Sequence, residues 1–152
     1  MVLKIGTVIE IGTSKGFVYA QYTHRHANYG YLIRVIQGLH ESTPTDIDSL
    51  AKQPTNFVTF FPLAAAIKRK LFKVIGVRPV PEFAQNFPIF KTGHYDKEKG
   101  KITVWFLWDG TNNWRVDKLT EEEKDYPIRG IINDTLLIEY IETEWTPRRY
   151  TE

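Results

Sequence analysis

Four histidines are the side chains in this sequence most able to bind a metal. His24 and His26 are two residues apart, and His40 and His94 lie further along the chain. Side chains two positions apart on a β-strand point to the same face, so His24 and His26 could chelate zinc if a third ligand converged on them. The spacing supplies no third ligand, and the absence of cysteine excludes every zinc site that needs sulfur. We therefore expect no metal site and no cofactor.

Groups that could act in catalysis lack the context that catalysis needs. Ser14, Ser42 and Ser49 lie in polar loops and have no Gly-x-Ser-x-Gly sequence around them, which is the usual setting of a nucleophilic serine. The acids at 121–123 could serve as paired carboxylates, but Thr120 three residues before Glu123 is typical of a helix capping box. These patterns predict a protein that is not an enzyme.

Nucleic-acid binding is the alternative that the basic residues suggest. Lys68, Arg69 and Lys70 follow one another, and Lys73 lies beside Phe72. Basic side chains next to aromatic rings are typical of single-strand binding surfaces on small β-barrels. Four tyrosines could supply a stacking face: Tyr19, Tyr22, Tyr29 and Tyr31. The same tyrosines also fit half-buried strands, so we keep this function as the alternative.

Charge is distributed unevenly along the chain. The formal net charge is +2, yet residues 1–95 carry 11 Lys and Arg against 5 Asp and Glu. Residues 119–145 carry eight carboxylates against Lys124 and Arg129. Such a segment is either a set of solvated helix faces or a surface that attracts a basic partner.

Length and composition indicate a folded protein. The 152 residues are 42% hydrophobic and 14% aromatic, which suits one domain over residues 1–152 with a sizeable core. The first residues contain no continuous apolar region, and no window reaches 18 apolar residues. We expect no leader peptide, no membrane partner and a cytoplasmic location.

The elements that must position these side chains begin with an antiparallel meander. Runs rich in β-forming residues alternate with Gly-bearing or polar loops over the first half of the chain. The predicted strands span residues 2–10, 17–23, 29–36, 57–61 and 72–79.

Capping residues predict where helices begin. Thr45 or Asp46 could cap a short helix over 47–52, and a second helix is predicted over 63–70. Asn133 or Asp134 could cap the last helix. The apolar residues at helical spacing in that helix are Leu137, Ile138, Ile141 and Trp145.

Residues 101–119 hold the strongest strand signal. Large apolar groups fall on both faces of 102–108, which predicts a central strand covered on both sides. Asp109 and Gly110 open a reversal, and the strand should pair with the segment around 114–118. The predicted class is α+β, with a strongly bent antiparallel β-sheet or small barrel-like meander, short helices and a C-terminal helix.

Several of these segments resemble the immunity protein 26 family of bacterial polymorphic-toxin systems. The resemblance covers most of the chain and is clearest in FFPL at 60–63, continuing to Lys70, in FKVIG at 72–76 and in residues 79–90. Further similar segments are KIG at 4–6, YGYLIRVI at 29–36, VDKLTEEE at 116–123 continuing to Pro127, LL at 136–137, and Trp145.

The resemblance implies a small antidote that binds a cognate toxin domain and blocks it without chemistry of its own. Toxins of such systems are often nucleases, whose basic surfaces an acidic partner would attract. Tryptophan and tyrosine are the usual anchors of such an interface. The candidate partner-binding residues are Trp114, Glu121, Glu122, Asp125, Tyr126, Glu139, Tyr140 and Glu142.

Overall fold

The structure, a computed structural model, describes residues 2–151. It is an α+β fold built from antiparallel strands, which confirms the predicted class. The strands form two separate sheets and neither described sheet closes on itself, so the barrel-like alternative is wrong. Internal contacts divide the chain into two compact units, here called the larger unit (2–86 and 130–145) and the smaller unit (87–129 and 146–151). The prediction of one domain concerns cooperative folding and stays a prediction.

The larger unit contains a five-stranded antiparallel sheet. Its first three strands form the predicted meander, and the order across the sheet is β4-β3-β2-β1-β5. The first strand begins later than predicted, because Gly6 adopts φ +99° in a turn that precedes it. The strands are β1 (Thr7–Thr13), β2 (Gly16–His26), β3 (Gly30–Ile36), β4 (Thr55–Phe60) and β5 (Lys73–Val77).

Three α-helices belong to the same unit: α1 (Ile47–Ala51), α2 (Leu63–Lys68) and α3 (Asp134–Glu142). Asp46 caps α1 by accepting from the Ser49 amide at 3.0 Å, and Asn133 caps α3 by accepting from the Leu136 amide at 2.8 Å. In both cases one of the two predicted capping residues is confirmed. None of the helices formed by residues 2–151 is both long and apolar enough to cross a bilayer.

The sheet is buried on both faces. One face carries the main core, to which α2 contributes Leu63 and Ala66 and α3 contributes Leu137. The other face carries a smaller core in which Val8, Tyr19 and Ile36 meet Leu50 of α1. Burial on both faces explains why apolar residues occupy almost every position of β3.

Helices α2 and α3 end with the same hydrogen-bond pattern. Lys70 and Glu144 have φ of 60° and 56°, and they close their helices in Schellman motifs. The Leu71 amide donates to the Ala66 carbonyl at 2.9 Å, and the matching bond in α3 has the same length. Glycine is the usual residue at this left-handed position, so each motif holds a charged side chain at a conformational cost.

The larger unit contains a fully buried arginine that bonds to several neighbouring segments. Arg34 of β3 has no exposed surface, and its guanidinium donates to the side chain of Gln21 at 2.9 Å and to Thr55 at 3.2 Å. It also donates to the carbonyl oxygens of Ala51 and Gln53. All four acceptors are uncharged. The arginine thus links β2 and β3 to the segment from the end of α1 to the start of β4, without an ion pair to a carboxylate.

The smaller unit contains a three-stranded antiparallel sheet of β6 (Phe90–Asp96), β7 (Lys101–Trp108) and β8 (Asn113–Val116). The predicted hairpin between β7 and β8 is confirmed, and β7 is central in this sheet. The central strand predicted over 102–108 therefore belongs to the three-stranded sheet and not to the five-stranded one. Strand β6 was not predicted, because its sequence alternates weakly and contains Gly93.

A β-bulge changes which side chains of β7 reach the core. Thr103 is left out of the pairing between β6 and β7, so Ile102 packs with Trp105 and Leu107 and not with Phe106. Trp105 and Leu107 are buried, as predicted for a covered strand, whereas Phe106 is 38% exposed. The prediction that both faces are covered is therefore wrong at Phe106.

The smaller unit also contains a buried cation. Lys91 of β6 has no exposed surface, and its Nζ donates to the carbonyl oxygens of Lys124 and, at 2.9 Å, Pro147. The Trp105 ring centroid lies 6.0 Å from the same nitrogen. Burial lowers the pKa of Lys91 to about 8. The lysine thus ties β6 to two 3₁₀ turns, Glu123–Asp125 and Pro147–Thr151.

Candidate partner-binding site

The acidic turn, defined as residues 120–125 of the smaller unit, begins with the predicted capping box. The Thr120 amide donates to the Glu123 carboxylate at 2.8 Å, and the Glu123 amide donates to the Thr120 hydroxyl at 3.2 Å. This reciprocal pair satisfies two amides that would otherwise lack partners at the start of a helical turn. Glu123 therefore has a local structural role.

Arg148 neutralises part of the acidic turn. Its guanidinium donates to Asp125 at 2.8 and 3.3 Å and to the Glu121 carboxylate at 3.1 Å, while Lys124 donates to Glu121 at 2.8 Å. The hydrogen bond from Lys124 lowers the pKa of Glu121, and that from Arg148 lowers the pKa of Asp125. Both carboxylates are ionised at neutral pH but paired. Glu122 is exposed and forms no ion pair within residues 2–151.

The two aromatic candidates of the smaller unit differ in exposure. Trp114 lies on the edge strand β8, opposite Leu107, and is 39% exposed. Tyr126 packs against the cluster formed by Trp105, Leu107 and Leu119, and desolvation raises its pKa. Trp114 is accessible to a partner without a conformational change, whereas Tyr126 packs at the edge of the core.

The remaining three candidates lie on α3 in the larger unit. Glu139 is exposed, but Tyr140 stacks on Trp145 with ring centroids 3.9 Å apart. The Glu142 carboxylate accepts from the Ser14 amide at 2.7 Å, and its backbone carbonyl accepts from Lys15 at 2.9 Å. Hydrogen bonds from the Ser14 side chain and from the Ser14 amide lower the pKa of Glu142. Tyr140 and Glu142 therefore stabilise the larger unit, and Glu139 is the candidate on α3 that is free of such contacts.

The structure assigns the acidic segment to both units. Trp114, the acidic turn and Tyr126 belong to the smaller unit, while Glu139, Tyr140 and Glu142 belong to the larger. The larger unit has ten Lys and Arg against nine Asp and Glu, and the smaller unit has ten against eight. The charge asymmetry along the sequence is thus absent when the charges are counted by unit, and the local charge near Glu122 matters more than the total.

The histidines make separate contacts. The His24 ring lies 2.9 Å from the Thr23 hydroxyl and 2.6 Å from the Gln85 carbonyl, and His26 accepts from the amides of Asn28 and Tyr29. His40 packs edge-on against a tyrosine of the larger unit, and His94 lies in the smaller unit. Within residues 2–151, no group of three or more His, Asp or Glu residues is arranged to hold a metal ion.

The predicted stacking face is wrong for two of its four tyrosines, while Tyr29 and Tyr31 are partly exposed. Tyr19 is 1% and Tyr22 is 4% exposed, and each packs in a core of the larger unit. The Tyr19 hydroxyl donates to Glu10 at 2.7 Å, and burial raises its pKa to about 12. The sequence signal for these tyrosines was strand alternation, which does not reveal that both faces of the sheet are covered.

No protein-family model, curated protein or solved structure matches this chain. The resemblance to the immunity protein 26 family therefore depends on the sequence motifs alone, and the site is argued from its own residues.

Proposed function

We propose that this chain is a non-enzymatic immunity protein that binds a cognate bacterial toxin domain in the cytoplasm and blocks its active surface. The motif resemblance supports the class of function. The observation that carries the proposal is the exposure of Trp114 on the open edge strand β8, in the same unit as the acidic turn. An exposed tryptophan in the same unit as an unpaired acid is suited to anchor a basic protein surface.

The two features would act at different stages of binding. Glu122 and Glu139 form no ion pair within the described residues, so their fields extend into solvent and would raise the association rate with a basic partner. Trp114 would lose its exposed surface in the complex and slow dissociation. Glu121, Asp125 and Glu142 already have partners and contribute less.

The test uses the protein encoded by the reading frame next to this gene as the probe. Co-expression should relieve its toxicity, and stopped-flow kinetics should be measured at low and high salt. We expect Trp114→Ala to raise the dissociation rate constant about tenfold or more. The pair Glu122→Gln with Glu139→Gln should lower the association rate constant at low salt and leave it unchanged at high salt.

Matched controls are available in the chain. Tyr95 is 58% exposed on β6, so Tyr95→Ala removes an exposed aromatic elsewhere in the same unit. Glu98→Gln with Glu82→Gln removes two exposed charges, one from each unit. If the controls match the test variants, the interface lies elsewhere, and if co-expression gives no protection the proposal is wrong.

A further inference from the structure

One edge of the larger unit's sheet is uncovered. Strand β5 pairs with β1, and no other segment within residues 2–151 pairs with it. The opposite edge strand, β4, is partly covered, because the Ile132 amide donates to the Phe60 carbonyl at 3.1 Å. An edge strand presents backbone N–H and C=O groups on its outer side, which can pair with a further strand.

The side chains at this edge are apolar and strand-forming. Val74 is 39% and Val77 is 44% exposed, and Leu71 just before the strand is 39% exposed. A bulge at Ile75 interrupts the pairing with β1, which limits but does not remove the capacity to pair on the other side. The bulge and Lys73 are features that natural proteins use to limit pairing at an edge, yet Val74 and Val77 stay exposed here and are able to contact a partner.

A run of cations precedes and begins β5 in the sequence. Lys68, Arg69, Lys70 and Lys73 are all exposed, and none forms an ion pair within residues 2–151. The acid opposite Lys73 is Glu10 of β1, but its carboxylate accepts from Tyr19 and Thr43. The four cations are therefore free of ion pairs within the described residues, and they can attract carboxylates of a partner.

Lys70 adds a separate observation. It holds the left-handed position at the end of α2 with φ 60°, where glycine would cost less. The Schellman motif at the end of α2 fixes this conformation, as it does for Glu144 at the end of α3. Here the conformation places a cation between α2 and the start of β5.

We propose that the outer side of β5 accepts an extended acidic segment of a protein partner as an added strand. The partner's backbone would pair with β5, its apolar side chains would contact Val74 and Val77, and its carboxylates would meet Lys70 and Lys73. Aliphatic side chains cannot stack on bases, and the nearby Tyr19 and Tyr22 are buried, so the edge suits a peptide better than a nucleic acid. This surface is distinct from Trp114 and the acidic turn, and the inference stands independently of the proposed function.

The test uses the intact chain and a fluorescent peptide of alternating glutamate and valine, Glu-Val-Glu-Val-Glu-Val-Glu, in fluorescence anisotropy at two salt concentrations. A peptide in which every backbone amide between residues is N-methylated keeps its side chains but loses the ladder donors on both of its edges. We expect binding of the first peptide, weakening as salt rises, and about tenfold weaker binding of the second. Hydrogen exchange should slow at the amides of β5 when the first peptide binds.

Two triple variants of the protein remove the same number of charges, one set beside β5 and one set elsewhere, and so test whether the position of the charge matters. Lys68→Gln with Lys70→Gln and Lys73→Gln should weaken peptide binding about tenfold, whereas Lys52→Gln with Lys97→Gln and Lys99→Gln, also exposed, should not. Equal binding of the N-methylated peptide would overturn strand addition. Absence of peptide binding, or preferential binding of an eight-thymidine oligonucleotide, would overturn the proposal.

Discussion

Each unit of this protein buries one cation completely, and the two cations are held differently. Arg34 in the larger unit and Lys91 in the smaller unit have no exposed surface, and both donate only to uncharged oxygens. Neither is paired with a carboxylate at hydrogen-bond distance within residues 2–151. Each therefore depends on carbonyl and amide dipoles to offset the loss of water.

The difference lies in the number of donors and in the pKa. The guanidinium of Arg34 reaches four acceptors in a fixed fork, and burial lowers its pKa to about 10, so it stays charged at neutral pH. The amine of Lys91 reaches two carbonyl oxygens, and its pKa is lowered to about 8. A neutral amine has two N–H donors, so Lys91 can keep both bonds after it loses its proton.

The comparison predicts the largest loss of stability from Arg34→Lys. Lysine keeps the charge but cannot reach four separate acceptors, so Gln21, Thr55 and two carbonyls would lose their donor. We expect the free energy of unfolding to fall by about 3 kcal/mol or more, measured by urea denaturation. Arg69→Lys, at an exposed position, is the control and should change it by less than about 0.5 kcal/mol. A loss below about 1 kcal/mol for Arg34→Lys would show that the four guanidinium hydrogen bonds contribute little to the free energy of unfolding.

Lys91 should make stability depend on pH, with a sign set by its lowered pKa. Between pH 8 and about 10.5 the unfolded chain binds the proton that the folded chain has released, so stability rises with pH across this window. Below pH 8 the full cost of the buried charge is present. We expect wild type to gain on the order of 2 kcal/mol relative to Lys91→Met between pH 8 and pH 10, measured by urea denaturation.

Subtracting the free energy of unfolding of Lys91→Met from that of wild type at each pH removes the pH dependence that both proteins share. This shared part includes tyrosines such as Tyr126, whose pKa is raised by desolvation. Asp125 raises and Arg148 lowers the pKa of Lys91, so both must be kept in the two proteins. Parallel curves for wild type and variant would mean that Lys91 does not titrate in this range.

We expect the smallest loss of stability from a substitution in the acidic turn, which carries one of the two carbonyl oxygens that accept from Lys91. Thr120→Ala removes a capping bond from the turn that carries the Lys124 carbonyl. We expect a loss of about 0.5 to 2 kcal/mol, while Glu123→Gln, which can still accept from the Thr120 amide, should keep stability. Hydrogen exchange would show the loss in the smaller unit. Equal losses for both variants would mean that the charge of Glu123 contributes as much to stability as the bond to the Thr120 hydroxyl.

Local patterns predicted the local structure well. The meander, the caps at Asp46 and Asn133, and the Thr120 capping box each depend on residues within a few positions of one another. The bulge at Thr103 was not predictable in this way, because it depends on how β6 and β7 pair. It moved Ile102 to the other face and left Phe106 exposed.

The environment of the candidate site depends on residues distant in sequence. Arg148 lies 23 positions from Asp125, and Ser14 lies 128 positions from Glu142, so no short pattern could reveal that these acids are paired. Arg34 appeared in the sequence as one polar residue in an apolar strand, and its acceptors come from three other segments. Exposure of Glu122 and Trp114 could be proposed from sequence, but their isolation from partners could not.

The path of the chain between the units affects how the protein can form during synthesis. The chain leaves the larger unit after residue 86, returns at 130 with α3, and enters the smaller unit again at 146. Leu137 of α3 fills the main core, and Pro147 and Arg148 hold Lys91 and the acidic turn. Neither unit can complete its packing until the ribosome has translated this late segment. A stalled or truncated chain that stops before residue 130 therefore leaves both cores open at once, and it should be recognised by proteases and chaperones as unfolded.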